Sequence, residues 1–201
     1  MTIDWEIPLV WLNRLEKRFG RLNGLKTYRN SKGRENGRGR HVTKKDIIAD
    51  DVFGLTGEVA VAKELDIYYE FALNRFSCPD VGQIQVKTSW THDGGILIPA
   101  WKRNEYALDH PYLLVVRTLE PDSFRLAGWI MRDVARTNYK HSARTYNNVV
   151  HYKIPQVDLS AIADIPPEYL LQNDGAYARY QPPYVANGRV IYPGSRTGAS
   201  R

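Results

Sequence analysis

Apolar residues early in the chain recur at helical spacing. Leu9, Leu12, Leu15, Phe19 and Leu22 share one stripe within residues about 8–25 and predict an N-terminal helix. A second helical pattern opens at Thr43-Lys44-Lys45-Asp46, which has the form of a capping box with Thr43 as the cap and Asp46 three residues on. It runs through DIIADDVFGLTGEVAVAKEL, with a break expected near Gly54. Extended segments follow at about 67–78, 83–90 and 95–100, and WKRNEYALDH reads as a short helix. PYLLVVRTL and SFRLAGWIM are buried-strand patterns, RDVARTNYKHS is a helix or a loop, and NVVHYKIPQVDL holds a late strand. From about residue 172 the chain is rich in Tyr, Pro and Gly, as expected of an arm that wraps the surface or is disordered. The order predicts an α/β fold around a central mixed sheet flanked by helices. No internal repeat or clean linker divides it, so residues 1–201 form one expected domain with its core at about 46–160.

Composition narrows the class. Hydrophobic residues make up 43% of 201, enough for a core, and no apolar run approaches a membrane span. The N-terminus has early acidic residues and only a short apolar patch, unlike a secretory signal. Cys78 is the one cysteine, which excludes an internal disulfide, argues against a cysteine-based zinc site and makes a reducing, cytoplasmic location the expectation.

Charge adds a candidate partner. The formal net charge of +6 favours a polyanion, though the distribution says more than the total. In the loop at about 26–45, eight Lys and Arg stand against one acid, Glu35, among interspersed glycines. Arg29, Lys32, Arg34, Arg38 and Arg40 are candidates for phosphate contacts to DNA, which would make affinity fall with salt; the alternative is a solvated insertion. Arg132, Arg136, Lys140 and Arg144, interleaved with Tyr139 and Tyr146, form a second candidate DNA surface whose alternative is an ordinary solvated face.

The chemistry concentrates around CPDVGQIQVKTSW. Strand alternation puts Gln83, Gln85, Lys87 and Ser89 on one face and Ile84, Val86 and Thr88 on the other, with Gln85 and Lys87 about 7 Å apart. Asp80 precedes them in a Pro-Asp turn sequence, and taken singly each has a plain reading as a turn residue or a wet strand face. Upstream, Glu58 falls within or at the edge of the apolar stripe of Leu55, Val59, Ala62 and Leu65. Its neighbours one turn on are Val61 and Ala62, not a cation. An inward carboxylate is costly unless it is paired or bound to a metal, whereas a slight rotation of the helix would expose it. The five histidines form no metal-ligand spacing, and there is no phosphate-binding glycine loop of the nucleotide-hydrolase type.

Taken together, Glu58, Pro79-Asp80 and Gln85-Val86-Lys87 resemble the PD-(D/E)xK nuclease superfamily, the restriction-endonuclease-like fold, in its Gln-x-Lys form. Gly54-Leu55-Thr56-Gly57-Glu58 is similar to the start of that family's helix, and Val86-Lys87-Thr88-Ser89 to the end of its central strand. The resemblance implies an α-β-β-β-α-β core over about 46–135. It also implies Asp80, Gln85 and Glu58 as ligands of Mg²⁺, for which Mn²⁺ can substitute, and Lys87 beside an attacking water. Gln85 stands where the family usually has Asp or Glu, which removes one negative charge; a Gln carbonyl still suits Mg²⁺, though as a weaker ligand. The expected activity is metal-dependent hydrolysis of DNA phosphodiesters by an endonuclease of a phage or other mobile element, with a homodimer natural for double-strand cutting. Exonuclease and resolvase activities, a non-catalytic nucleic-acid-binding relative, and a protein whose basic surface meets another acidic partner are the alternatives.

Overall fold

The computed structural model describes residues 7–30, 43–67, 69, 79–100, 110–141, 150–170, 184–186 and 189–191. The expected strand at 67–78, apart from residues 67 and 69, and most of the expected helix over 101–110 lie outside them. So do Lys32, Arg34, Arg38, Arg40 and Arg144.

The first element among the described residues is a strand where the apolar spacing predicts a helix. β1 (Leu9–Trp11) pairs antiparallel with a later strand, and α1 (Arg14–Asn30) starts only after it. The helix start is written locally. The Asn13 side chain accepts from the amides of Leu15 and Glu16, and Glu16 Oε2 accepts from the Asn13 amide at 2.7 Å, which closes a capping box. The same Glu16 oxygen meets Lys63 Nζ at 3.1 Å, and Lys63 also donates to the Trp11 carbonyl. A buried carboxylate is thereby satisfied while β1, α1 and α2 are joined.

α2 (Lys44–Glu64) carries the predicted cap: Thr43 accepts from the Asp46 amide, and Asp46 accepts from the Thr43 amide. No break occurs at Gly54, because a glycine inside a long helix weakens it without removing any hydrogen bond. The two helices meet closely along Gly20 and Gly24, one turn apart on α1. A β-carbon on either glycine would fall within 3 Å of Thr56 or Val52. The inward face of α1 is thus Glu16, Gly20, Asn23 and Gly24, while Leu22, placed on the predicted apolar stripe, is 41% exposed.

Among the described residues the main sheet is mixed and four-stranded, in the order β1-β5-β4-β2. β2 (Gln85–Ser89) runs parallel to β4 (Pro111–Arg117), and β5 (Ser123–Met131) is antiparallel to both β4 and β1. β4 is buried on both faces from Pro111 to Val116, which explains its nearly continuous apolar run. On one face Leu113 and Val115 pack with Val86, Phe124, Leu126 and the apolar residues of α2. On the other, Tyr112, Leu114 and Val116 pack with a second layer, in which β3 (Ile96–Pro99) pairs antiparallel with β6 (His151–Ile154), and with Ala135 of α3 (Arg132–Asn138). A bulge at Ala127 shifts the β4–β5 register between Leu114 and Val115. At Gly128, with φ of 141°, the neighbouring chain comes so close that a β-carbon would lie 2.6 Å from Leu159. Further on, β7 (Tyr184–Ala186) and β8 (Arg189–Ile191) form a separate two-stranded pair within the predicted arm. No described helix is long and apolar enough to cross a membrane.

Candidate active site

The site assembles beside β2, the last strand of the main sheet among the described residues. Alternation holds there. Val86 is buried against the helix side and the Thr88 methyl points at Gly57 of α2, while Gln85 and Lys87 share the side of their β4 partners, Tyr112 and Leu114. A strand at the margin lets groups from both faces meet around it.

Asp80 is fixed by a tight turn. Val81 and Ile84 bridge across Gly82 and Gln83, with Gly82 at a φ of 57°, a conformation that favours glycine. The Asp80 amide donates to the Ile84 carbonyl at 3.0 Å, and the Gln83 amide anchors the turn to the Tyr169 carbonyl at 3.1 Å. The Asp80 carboxylate then reaches forward: Oδ2 accepts from the Val86 amide at 2.8 Å and from the Gln85 side-chain amide. Gln85 therefore turns its NH₂ to Asp80 and keeps its carbonyl oxygen as the atom able to meet a cation.

Glu58 lies in the middle of α2, fifteen residues into the helix rather than near its start, and it is half-buried. Gly57 lets this part of the helix approach β2, since a β-carbon there would stand 2.5 Å from Thr88 Cγ2; Gly54 faces open space. Glu58 Oε2 accepts from the Tyr69 hydroxyl at 2.5 Å, and the Glu58 carboxylate makes no other hydrogen bond among the described residues. Burial, reinforced by the nearby Asp80 charge, holds the Glu58 carboxyl well above its usual range, against the pull of the Tyr69 hydrogen bond and the Lys87 ammonium. Burial also raises Asp80, opposed by Lys87 and by its own two donors. Burial first, and then the Glu58 charge, push the Tyr69 phenol well above its ordinary value, so it stays protonated and donates.

Lys87 Nζ sits over the Tyr112 ring, 5.8 Å from its centroid, and forms no salt bridge among the described residues. Tyr112 is itself raised by burial, with Arg132 working against the rise and Asp80 adding to it.

The structure thus brings Glu58, Asp80, Gln85 and Lys87 together. The proposed DNA-contacting residues are more dispersed. Arg29 is exposed in the last turn of α1, and Arg136 and Lys140 are exposed on and after α3. Arg132 is a correction to the sequence reading: it is 7% exposed, and its Nη2 donates to the Pro99 carbonyl at 3.2 Å. It opens α3 directly after β5, where the chain faces the β3–β6 layer, so its guanidinium ties those elements together instead of meeting solvent. Tyr69 and Tyr112 were not singled out from sequence. Tyr112 carried one signal, a hydroxyl at the start of an otherwise apolar run; Tyr69, eleven residues beyond Glu58 across a helix end, carried none.

Among the described residues no group of three or more His, Cys, Asp or Glu side chains is placed to hold a metal ion. The candidate donor set is two carboxylates with one amide oxygen, all hard ligands of the kind Mg²⁺ and Mn²⁺ take. Two enclosed, mutually repelling carboxylates are an arrangement that a divalent cation relieves. No family model, curated protein or solved structure matches the chain.

Proposed function

We propose that this protein is a metal-dependent deoxyribonuclease of the PD-(D/E)xK type, an endonuclease of a phage or mobile element. The observation that carries the reading is the convergence of Glu58 from mid-helix, Asp80 from the turn, and Gln85 and Lys87 from one face of β2. Four residues spread over thirty positions have no packing reason to share one corner, two of them as half-buried acids close enough to feel each other's charge.

Asp80 and Glu58, with the Gln85 carbonyl, would hold Mg²⁺. When bound, the ion supplies Lewis-acid chemistry and neutralises negative charge at the scissile phosphate. The chain's own groups do the rest. Asp80 is held by the Val86 amide and the Gln85 side chain, so its second oxygen is oriented before substrate arrives. Lys87 places a positive charge beside the two acids and stabilises the anionic charge that grows on the phosphate during attack by water. The Tyr112 ring under Lys87 limits where that ammonium goes. Exposed Arg29, Arg136 and Lys140 are available to phosphates along the substrate.

The test is incubation of the protein with plasmid, linear duplex, single-stranded and branched DNA, in Mg²⁺ and in EDTA. Mg²⁺- or Mn²⁺-dependent cutting is expected, abolished in Asp80→Ala and Lys87→Ala with the circular dichroism spectrum unchanged. Cutting at full rate by Asp80→Ala would discard this site. A second reading, a DNA-binding relative without catalysis, is favoured by one feature: Gln85 supplies no third negative charge and spends its NH₂ on Asp80. Salt-sensitive DNA binding without cutting would select it.

A further inference from the structure

α2 ends at Glu64, and the chain then doubles back on it. Asp66 takes a φ of 52°, and the Ile67 amide donates to the Ala62 carbonyl at 2.9 Å. This reversal carries Tyr69 alongside the helix to Glu58. The ring is buried, 7% exposed, and meets Phe19 of α1 edge-on, with centroids 5.8 Å apart and planes at 85°. Packing therefore fixes the ring, and the ring aims the hydroxyl at Glu58 Oε2, 2.5 Å away. A residue needed only to fill this space would require no hydroxyl, since phenylalanine has the same ring.

The geometry points to Tyr69 as a positioning residue: by donating to one oxygen of Glu58 it selects the carboxylate rotamer that presents the other oxygen to the cation. This rests on the metal-dependent reading above. Glu58 carries a long side chain with three torsions, and its carboxylate makes no other hydrogen bond among the described residues to choose between its rotamers. Partners that orient a metal ligand typically matter by about 10–100-fold in metal affinity. Gln85 plays the corresponding part for Asp80 from the opposite side, so each acid has one oxygen occupied by a neutral donor. The site would then offer one oriented oxygen from each acid rather than two freely rotating carboxylates.

Binding of Mn²⁺ to the full chain, followed by the electron-spin-resonance signal of the free ion, tests this without relying on activity. Tyr69→Phe is expected to weaken Mn²⁺ by about 10–100-fold with little change in Tm. Phe19→Leu, which loosens the ring packing but keeps the hydroxyl, is expected to lower Tm and leave Mn²⁺ affinity within about twofold, a difference under roughly 0.4 kcal/mol. In a Glu58→Gln background, adding Tyr69→Phe is expected to cost nothing further, because the two act as one unit. Phe19→Leu keeps the proposal falsifiable should Tyr69→Phe fail to fold: a loss of Mn²⁺ affinity there of about tenfold or more would mean that ring packing, not the hydroxyl, governs the site. Wild-type affinity in Tyr69→Phe, or an equal loss in the Glu58→Gln background, overturns the role of Tyr69 while leaving the nuclease reading intact. Absence of saturable Mn²⁺ binding by the wild-type protein overturns both.

Discussion

Two glycines three residues apart on α2 should respond to alanine with opposite signs. Gly54 faces open space, with nothing within 4 Å of a built β-carbon, so Gly54→Ala gains helix propensity at no steric cost. That gain is about 1 kcal/mol, or a rise in Tm of roughly 2–4 °C for a chain of this size. Gly57 is different: a β-carbon there would stand 2.5 Å from Thr88 Cγ2, with Val115 Cγ1 at a comfortable 3.7 Å. Thr88 is short, β-branched and set in β2, so its methyl has little room to turn away. Overpacking of this kind costs about 1–3 kcal/mol, which outweighs the propensity gain and pushes β2 away from α2. Since Glu58 rides on one element and Gln85 and Lys87 on the other, the proposed nuclease activity should fall by more than stability does; a shift of about 1 Å can cost 100-fold in rate. Thr88→Ser removes the offending methyl, so the Gly57→Ala, Thr88→Ser pair should recover much of both losses. Urea denaturation with Mg²⁺-dependent plasmid nicking reads all four proteins. If Gly54→Ala and Gly57→Ala shift stability in the same direction, or if Thr88→Ser gives no rescue, the close approach of α2 to β2 is not what Gly57 provides.

The remaining expectations concern charge. Glu58 and Asp80 have carboxyl pKa values raised on folding, so their contribution is present at low pH and lost as pH rises through the raised values. In EDTA the wild-type protein should lose stability above the ordinary carboxylate range, by up to about 1.4 kcal/mol per pH unit for each titrating group. Glu58→Gln and added Mg²⁺ should each flatten that slope; parallel Tm–pH curves for wild type and Glu58→Gln would contradict it. Arg132→Ala should destabilise by roughly 1–3 kcal/mol because it strips a buried donor from the Pro99 carbonyl, whereas Arg136→Ala should stay within about 0.5 kcal/mol and show its effect in DNA binding. Chemical denaturation compares the two, and equal losses would remove the distinction drawn between them. Deleting residues 30–40 should weaken DNA binding and reduce the slope of log affinity against log salt while sparing Mn²⁺ binding; an unchanged slope in a salt titration would count against a phosphate-contacting role for that segment.

What could be read from sequence were features whose cause is local. The Thr43–Asp46 box, the alternation through Gln85, Val86 and Lys87, and the apolar run of β4 each follow from residues within a few positions, and each has its counterpart in the fold. What escaped depends on distant partners. β1 is three residues long and exists by pairing with Ser123–Arg125, so a helical apolar rhythm through Leu9 and Leu12 outvoted it. α1 buries glycines, an asparagine and a paired glutamate where hydrophobicity predicted leucines, because close helix contact selects for small size. Arg132 looked like a surface cation because its acceptor, the Pro99 carbonyl, lies thirty-three residues back. At the site, the four side chains could be nominated from their order along the chain, but not Tyr69, whose link to Glu58 depends on a left-handed residue at Asp66.

The extra residue in β5 has an effect beyond the strand itself. Before Ala127, even-numbered side chains such as Phe124 and Leu126 face the helices; after it, Trp129 does, and Ile130 joins the opposite core. Removing Ala127 together with the bulge would leave every later side chain on its present face, because the one-residue shift and the restored alternation cancel; pairing the same sequence without the bulge would exchange inside for outside along the rest of the strand. In that unbulged pairing of the full sequence the Trp129 indole would lose its bond to the Ala161 carbonyl, and Arg132 would emerge on the wrong side of the sheet. One unpaired residue thus acts as a phase marker for everything C-terminal to it: inserting a residue beside Ala127, which adds a step the ladder does not absorb, should be far less tolerated in urea denaturation than deleting Ala127 itself.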